Sequence, residues 1–521
     1  MHYFVPMTRN SYYITTPIYY VNDKPHIGHA YTTLACDLIA RFKRLDGFDV
    51  LFLTGTDEHG QKVEKAAQAA GMDPKAFCDQ VSTNFRELAK RLNISNDDFI
   101  RTTEERHIKS VQALWNKLVE AGDIYLGYYE GWYAVRDEAF YQEEELQDGP
   151  QGKTVIASGA PVEWVKEPSY FFRLSAWEER LLKFYDEHPD FILPNSRRNE
   201  VVSFVKGGLK DLSVSRTTFK WGVPVPNDPA HIMYVWLDAL TNYITAAGYP
   251  DTNAEKYKRY WPADIHMVGK DILRFHAVYW PAFLLAAGLE THKRVFAHGW
   301  WTNEGQKISK SLGNVIDPLA LIDTFGLDQT RYFLMREVPF GNDGDFRRES
   351  MINRINNELA NGMGNLAQRT LSFVAKNANA AVPEPGPLSE LDEGLLAQAG
   401  SLLVQMRAAF DRQELHVALQ SWYDLVDAAN KYIDVAAPWT LRKTDPARMN
   451  TVLWVLLETI RHLAILAQPV TPDAAAKLLD QLGVSEAARS FAHLGELGRL
   501  RAGTPLPAPQ GVFPRFVEAK D

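Results

Sequence analysis

A strand, a helix and a second strand follow one another near the start of the chain, and this order constrains the fold most. Tyr12 to Tyr20 is an aromatic and β-branched run, Ala30 to Asp46 carries apolar residues at helical spacing, and "DVLFLTGTDEHG" follows. Strand, crossover helix and strand within about 45 residues form the βαβ unit of a parallel sheet. We therefore expect an α/β, Rossmann-like domain whose ligands bind beyond the carboxyl ends of its strands.

The tetrapeptide His26-Ile27-Gly28-His29 lies at the first strand-to-helix turn. Metal ligation would need further donors, and the chain has only two cysteines. A phosphate site is the alternative, because a helix start offers free N–H groups and Gly28 lacks a Cβ that would block close approach. Two polar residues at a helix start remain the simplest interpretation of the tetrapeptide alone.

A second motif, Lys307-Ile308-Ser309-Lys310-Ser311, lies between Gly305 and Gly313 after a late predicted strand. Alone it is most simply a solvated basic loop. Its lysines would also suit a polyphosphate, where they neutralise charge during phosphoryl chemistry. No GxxxxGK[ST] stretch offers another phosphate loop, and the two motifs together are more specific than either alone.

Composition narrows the class of protein. The 521 residues predict roughly two to four domains, and the net charge of −9 argues against a general nucleic-acid coat while leaving room for a local basic patch. Two cysteines argue against a disulfide scaffold and an all-cysteine zinc site. We find no secretory signal, and apolar runs such as "AVYWPAFLLAAGL" are too short to span a bilayer. We expect a cytoplasmic protein without membrane contact.

The later chain changes character twice. Aromatics and turns dominate from about Gly122 to Phe219, which predicts an insertion of short strands, and the sheet should resume at "HIMYVWLDAL", His231 to Leu240. "DIHMVGKD" and "RVFAHGWW" should continue it. After "KISKSLGN" come about 35 residues of mixed character and then one helix after another, which predicts an all-α part.

Both motifs match the HIGH and KMSKS signatures of class I aminoacyl-tRNA synthetases, the second as the variant KISKS. Six stretches make the chain resemble methionyl-tRNA synthetases of the bacterial type: "TTPIYYVNDKPHIGHAYTTLACDLIARF", "FLTGTDEHGQKV", "GWYAVRDEAFY", "YVWLDALTNY", "VGKDILRFH" and "HGWWTNEGQKISKSLGN". The resemblance implies ATP-dependent attachment of methionine to initiator and elongator tRNA through methionyl-adenylate. The predicted insertion is too short to hold the separate editing domain of the synthetases for valine, isoleucine and leucine. These relatives are therefore disfavoured.

The resemblance also implies a domain order. It comprises a catalytic first half over residues 1–121, a connective insertion over 122–219, the catalytic second half over 220–325, a linking, stem-contact region over 326–360, and an α-helical anticodon-binding domain over 361–521. No appended domain is visible, so we expect a monomer.

Site residues follow from the resemblance, motif by motif. ATP would be bound by His26, Gly28, His29, Asp271, Lys307, Ser309 and Lys310, of which His26, His29, Lys307 and Lys310 would be catalytic. Methionine would be bound by Ile18, Tyr20, Asp57, Arg216, Trp236, Ala239, Leu240, Tyr243, Ile272 and His276, with Asp57 on the ammonium group. The aromatic members suit a thioether, because sulfur contacts aromatic rings favourably. Each aromatic taken singly is more simply explained by core packing.

The helical half carries its own set. Asn361, Asn365 and Arg369 are spaced so as to share one helix face, and the resemblance implies that they and Trp439 read the anticodon. In isolation they would be a polar surface stripe.

One departure concerns zinc. Many relatives carry cysteines in the insertion, but Tyr133 to Phe140 has none here, so we expect no zinc and no other protein-bound metal. Mg²⁺ should accompany ATP through its phosphate oxygens. Three rivals remain: a synthetase for another amino acid, a synthetase-like RNA-binding protein that has lost catalysis, and a small-molecule nucleotidylyltransferase.

Overall fold

The N-terminal part alternates strands and helices in the computed structural model, which describes residues 10–21, 24–309 and 312–518. Its elements are β1 (Ser11–Thr15), β2 (Tyr19–Tyr20), α1 (Ile27–Leu45), β3 (Asp49–Asp57), α2 (Gln61–Ala69), α3 (Pro74–Arg91), β4 (Asp98–Arg101) and α4 (Glu105–Glu120). The single strand predicted over Tyr12 to Tyr20 is in fact two, because Pro17 has no N–H for a continuous ladder.

The predicted insertion contains strands and turns, as expected, and its strands pair antiparallel except for β10, although β5 and β9 are long. Its sheet orders β11–β9–β5–β6, and β7 and β8 form a separate hairpin. The elements of this part are β5 (Ile124–Ala134), β6 (Ala139–Tyr141), β7 (Leu146–Gly149), β8 (Gly152–Val155), β9 (Glu163–Phe172), α5 (Glu178–Glu187), β10 (Ile192–Leu193), α6 (Asn195–Lys206), β11 (Leu212–Ser213), β12 (Ser215–Arg216), β13 (Pro224–Val225) and β14 (Asp228–Met233).

The chain from Val235 to Lys307 completes the parallel sheet. It comprises α7 (Val235–Leu240), α8 (Asn242–Ala247), α9 (Glu255–Tyr260), β15 (Ile265–Gly269), a π-helix (Phe275–Tyr279), α10 (Trp280–Ala286), β16 (Val295–His298), β17 (Trp301–Asn303) and β18 (Gln306–Lys307). The sheet runs β10–β16–β15–β1–β3–β2, with β4 also on β3, and its strand pairs are parallel. The predicted fold class is confirmed.

The sheet does not resume at His231 to Leu240, so this prediction is wrong. β14 pairs antiparallel with β12 and β13 in a small sheet of its own, and α7 follows it. Only Pro226 and Asn227, the latter at φ 64°, separate β13 from β14. So short a connection permits antiparallel pairing but no parallel crossover. The parallel sheet is re-entered earlier, at β10, inside the predicted insertion.

Helices dominate the C-terminal part, as predicted. They are α11 (Pro318–Phe325), α12 (Leu327–Arg336), α13 (Arg348–Arg354), a π-helix (Ile355–Gly364), α14 (Asn365–Asn377), α15 (Glu390–Asp411), α16 (Leu415–Ala436), α17 (Pro438–Thr444), α18 (Pro446–Ala467) and α19 (Pro472–Gln481), with β19 (Gly344–Phe346) pairing β17. Within the described residues, α18 alone has the length and apolar composition of a membrane span. It is 94% buried, as expected for the central helix of a helical domain.

Helix α1 lies between the parallel sheet and the helical part. Its residues belong to the same apolar core as α15, α16 and α18. Phe42 of α1 stacks on Phe410 of α15 with ring centroids 4.0 Å apart. The helix that begins at the His26–His29 turn is therefore packed directly against the helical half.

Candidate active site

His26 and His29 form the first turn of α1 together. The Nδ1 of His26 accepts from the backbone N–H of Gly28 at 3.0 Å, and the backbone N–H of His26 donates to the Nδ1 of His29 at 3.0 Å. In a neutral imidazole one nitrogen accepts and the other carries hydrogen. The Nε2 of each ring is therefore a donor. The two rings thus serve as a polar helix start and also supply N–H groups, as a phosphate cradle requires.

Desolvation favours the neutral form of both imidazoles. Desolvation lowers the pKa of His26, although its side chain keeps an accessible edge, and the carboxylate of Asp271 opposes that shift. Burial and the neighbouring His26 lower the pKa of His29 well below its ordinary value. Asp271 follows β15, accepts from the indole N–H of Trp300 at 3.2 Å, and is close enough to His26 to affect its charge. The structure thus brings the predicted ribose-site carboxylate to the His26–His29 turn.

The KISKS loop extends from the β17–β18 hairpin and is shaped by Asn314. The side chain of Asn314 accepts from the N–H of Ser309 at 2.8 Å and donates to the carbonyl of Lys307 at 3.0 Å. Asn303 in turn donates to the carbonyl of Asn314 at 2.9 Å. Lys307 is exposed, whereas Lys310 lies outside the described residues.

Tyr20 and Asp57 are register partners at the carboxyl ends of the parallel strands β2 and β3. Asp57 is 4% exposed, and its Oδ1 has no hydrogen-bond partner among the described residues. Burial, followed by the charges of Asp238 and Glu138, raises the pKa of Asp57 well above its ordinary value. A buried carboxylate with an unused oxygen suits a cationic ligand.

Aromatic side chains that follow β14 share one apolar cluster with Ile18 and Tyr20. Trp236 stacks on Phe275 at 3.7 Å between ring centroids, and its indole N–H has no partner in the described part of the chain. The Tyr243 hydroxyl lies 2.6 Å from the Nε2 of His276, whose Nδ1 faces the carbonyl of Ile272 at 2.9 Å. Carbonyls only accept, so Nδ1 carries the hydrogen and Nε2 accepts from Tyr243.

The four residues predicted to line the pocket lie close to Tyr243. Ile18, Leu240 and Ile272 pack in the same apolar cluster as Tyr243, and Ala239 is buried next to Leu240.

Arg216 is buried inside the insertion. Its Nε lies 2.5 Å from the Oε1 of Glu167, and its guanidinium stacks over the ring of Tyr133 at 4.0 Å. Burial raises the pKa of Glu138 to about 7, and the positive charge of Arg216 opposes this rise. Arg216 therefore approaches the predicted methionine site from the side of the insertion.

Sequence analysis missed Glu138. Its carboxylate accepts from the hydroxyl of Tyr20 and from the N–H of Lys62, the latter at 3.3 Å. Gly60 has φ 106°, a backbone conformation that favours glycine, and a Cβ there would lie 2.6 Å from the Oε1 of Glu138. Glu138 has φ 49°, a left-handed conformation that is uncommon for residues other than glycine. The only sequence signal was a run of three charged residues, Arg136 to Glu138, between aromatic residues.

Asp238 was also missed, together with two histidines. Its carboxylate accepts from the Nδ1 of His59 at 2.6 Å and the Nε2 of His107 at 2.7 Å. All three side chains are buried. A buried acid within "VWLDAL" and the histidine in "TDEHG" were the available sequence signals. Across the described parts of the chain, no group of three or more His, Cys, Asp or Glu side chains is arranged to hold a metal ion.

The predicted anticodon set lies at a different place, on the helical half. Asn361 belongs to the π-helix, while Asn365 and Arg369 belong to α14, and both asparagines are exposed. The guanidinium of Arg369 lies over the ring of Trp439 at 5.5 Å and donates to Asp434 at 2.8 Å. Trp439 is 43% exposed. The structure therefore brings Arg369 and Trp439 together on an accessible surface.

Two family profiles cover nearly the whole chain. One, described as tRNA synthetases class I (M), matches residues 12–371, and the other, described as the anticodon binding domain of methionyl tRNA ligase, matches residues 382–521. The chain belongs to the methionyl-tRNA synthetase family. Among relatives of this family, the methionine–tRNA ligase of Rickettsia felis is 59% identical, covering 98% of this chain and 99% of its own. That of Brucella suis biovar 1 is 58% identical, at 99% and 100%.

Solved structures of methionyl-tRNA synthetases agree. The Mycobacterium tuberculosis enzyme in complex with methionyl-adenylate is 55% identical with a TM-score of 0.95, covering 97% of this chain and 100% of that chain. Its apo form is 51% identical with a TM-score of 0.90, at 98% and 99%. The predicted class I methionine–tRNA ligase, which joins methionine to tRNA at the expense of ATP, is confirmed.

Proposed function

We propose that methionine is activated at the turn between β2 and α1 and that individual residues divide the work as follows. Asp57 binds the ammonium group, and Tyr20, Trp236, Tyr243 and His276 surround the thioether. The observation that carries this assignment is the register pair of Tyr20 and Asp57, which places an aromatic wall beside a buried carboxylate with a free oxygen. A thioether and an ammonium group four bonds apart match these two features.

The triphosphate of ATP would lie over the first turn of α1. The Nε2–H groups of His26 and His29 would donate to phosphate oxygens, Gly28 would allow close approach, and Lys307 and Lys310 would neutralise charge from the loop above. Asp271 would bind the ribose. Because a carboxylate is already ionised, methionine needs no general base to attack the α-phosphorus. Catalysis is then positioning and charge stabilisation.

Further parts of the proposal concern partners and cofactors. Mg²⁺ would arrive bound to the phosphates of ATP, since hydrated Mg²⁺ needs few protein ligands. The insertion would be zinc-free, with Arg216, Tyr133 and Glu167 packed at its centre. Asn361, Asn365, Arg369 and Trp439 would bind the anticodon of the methionine tRNA. The enzyme would act as a cytoplasmic monomer with the domain order given above.

Exchange of labelled pyrophosphate into ATP tests the activation step. We expect exchange that depends on methionine and is lost in Asp57→Asn, with ATP alone giving none. Exchange supported by another amino acid but not by methionine would contradict the pocket assignment. No exchange with any amino acid, alongside retained tRNA binding, would instead support an RNA-binding protein without catalysis.

A further inference from the structure

His59, Asp238 and His107 form a buried hydrogen-bonded chain that joins the two halves of the proposed methionine site. His59 lies two positions after Asp57, in the loop that follows β3. Asp238 lies two positions after Trp236, on the pocket helix α7. The 2.6 Å hydrogen bond between the Nδ1 of His59 and the carboxylate of Asp238 therefore connects the segment after Asp57 with α7, which carries Trp236 of the proposed side-chain pocket.

The carboxyl groups of Asp57 and Asp238 differ in their hydrogen-bond partners. Burial would raise the pKa of Asp238, but the charges and hydrogen bonds of His59 and His107 lower it to about 2, so the ionised form of Asp238 is favoured. The Oδ1 of Asp57 has no partner among the described residues, and burial, followed by the charge of Asp238, raises its pKa. A nearby ammonium group would favour the ionised form of Asp57 and so lower this pKa.

We propose that Asp238 is a positioning residue for the methionine ammonium group, because its hydrogen bond to His59 fixes the segment that directly follows Asp57 against α7. The inference rests on the proposed role of Asp57. It assigns to Asp238 a part in selecting ligands that carry an amine. Asp238 itself does not touch the substrate.

Two ligands that differ only in the amine separate this role from a structural one. Methioninol has the ammonium group and lacks the carboxylate, and 4-(methylthio)butan-1-ol has the same skeleton without the amine. Their dissociation constants are measured by calorimetry or by competition against methionine. In Asp238→Asn we expect methioninol to bind roughly tenfold more weakly, as for a lost interaction with a charged group, and the amine-free alcohol to stay within about twofold.

Asp392→Asn is the matched control. Asp392 is equally buried, its pKa is also held at about 2, and it bonds Tyr432 and Arg448 in the helical half. The variant should leave both dissociation constants unchanged. Equal weakening of both ligands in Asp238→Asn, or no change in either, would overturn the positioning role.

Asp57→Asn separates this inference from the function on which it rests. We expect it to weaken methioninol selectively. If it does so while Asp238→Asn weakens both ligands equally, the ammonium site stands and the role of Asp238 is wrong. If Asp57→Asn leaves methioninol unaffected, the ammonium site and the inference are wrong together.

A second pair of variants decides the matter if Asp238→Asn does not fold. His59→Leu and His107→Leu each replace an imidazole with a side chain of similar volume and remove one donor to the same carboxylate. Only His59 lies in the segment that directly follows Asp57, whereas His107 belongs to α4. We expect selective loss of methioninol binding in His59→Leu and a clearly smaller loss in His107→Leu. Equal effects of the two variants would overturn the positioning role.

Discussion

Asp37 and Arg331 form a fully buried ion pair, 2.7 Å between the carboxylate and Nη2, where α1 meets the helical half. Arg331 also donates to the carbonyls of Leu92 at 2.8 Å and Val470 at 3.0 Å. One guanidinium therefore joins the helix that begins at the His26–His29 turn, the end of α3 and the segment after α18. The Asp37–Arg331 ion pair therefore holds the two halves of the enzyme together, and because both side chains are fully buried, water cannot take the place of either partner.

Arg331→Met should destabilise the protein strongly. It leaves the carboxylate of Asp37 buried without its main partner, and breaking a buried pair costs about 3–5 kcal/mol. Thermal unfolding measures the change. Arg41→Met is the matched control, because Arg41 also pairs with Asp37 but is 21% exposed, and its loss should cost at most about 1 kcal/mol.

The same pair predicts an acid dependence of stability. Burial would raise the pKa of Asp37, but Arg331 and Arg41 together lower it below its ordinary value. The stabilisation is present above the unfolded pKa and is lost as the pH falls through the lowered folded pKa. Arg331→Met should weaken this acid dependence, and equal acid sensitivity of both proteins would contradict the assignment.

Asp57→Asn should lower activity and raise stability. The folded pKa of Asp57 is raised, so the folded state holds its proton more tightly than the unfolded state, and stability is lost as the pH rises through that interval. The variant removes this loss, with a gain of about 1–3 kcal/mol at neutral pH and little at acid pH. Melting curves at both pH values and pyrophosphate exchange test the two effects.

The control for this prediction is Asp79→Asn. Asp79 is half exposed, and hydrogen bonds from Lys75 and Arg101 lower its pKa. Its replacement should not stabilise the protein at any pH. A similar gain in both variants would show that the effect is generic charge removal.

His26→Asn should weaken ATP binding roughly tenfold and reduce proton uptake on binding. Asparagine still caps the helix, so α1 should start unchanged. Desolvation lowers the pKa of His26, and a bound triphosphate should raise it again. Wild type should therefore take up more protons than the variant, near about pH 6. Calorimetry in buffers of different ionisation enthalpy measures the difference, and identical uptake would contradict phosphate contact.

Local sequence predicted those parts of the site that depend on short connections. The turn at His26 and His29 follows from one strand and one helix, and the βαβ unit brings Tyr20 beside Asp57. The same reasoning misplaced His231 to Leu240, because a short apolar run does not reveal whether a strand pairs in parallel or antiparallel, nor where it gives way to a helix.

Long-range partners lay beyond sequence reasoning. Glu138 lies 118 positions from Tyr20, and Asp238 lies 179 positions from His59. Contacts between residues so far apart in sequence cannot be predicted from hydrophobic periodicity. Each of them depends on how the insertion and α7 pack on the sheet. Trp236 and Tyr243 were found only through the family resemblance. Their spacing alone fits core packing equally well.

Trp439→Ala should reduce charging of tRNA and leave methionine-dependent exchange unchanged. The ring is 43% exposed beside the guanidinium of Arg369, where it can stack on an unpaired base, and such stacking is worth about 1–3 kcal/mol. The KM for tRNA should therefore rise roughly tenfold. Val404→Ala, which removes an exposed apolar side chain from α15, is the control and should change neither reaction. Parallel loss of exchange and charging in Trp439→Ala would show that Trp439 supports the fold and does not contact the anticodon.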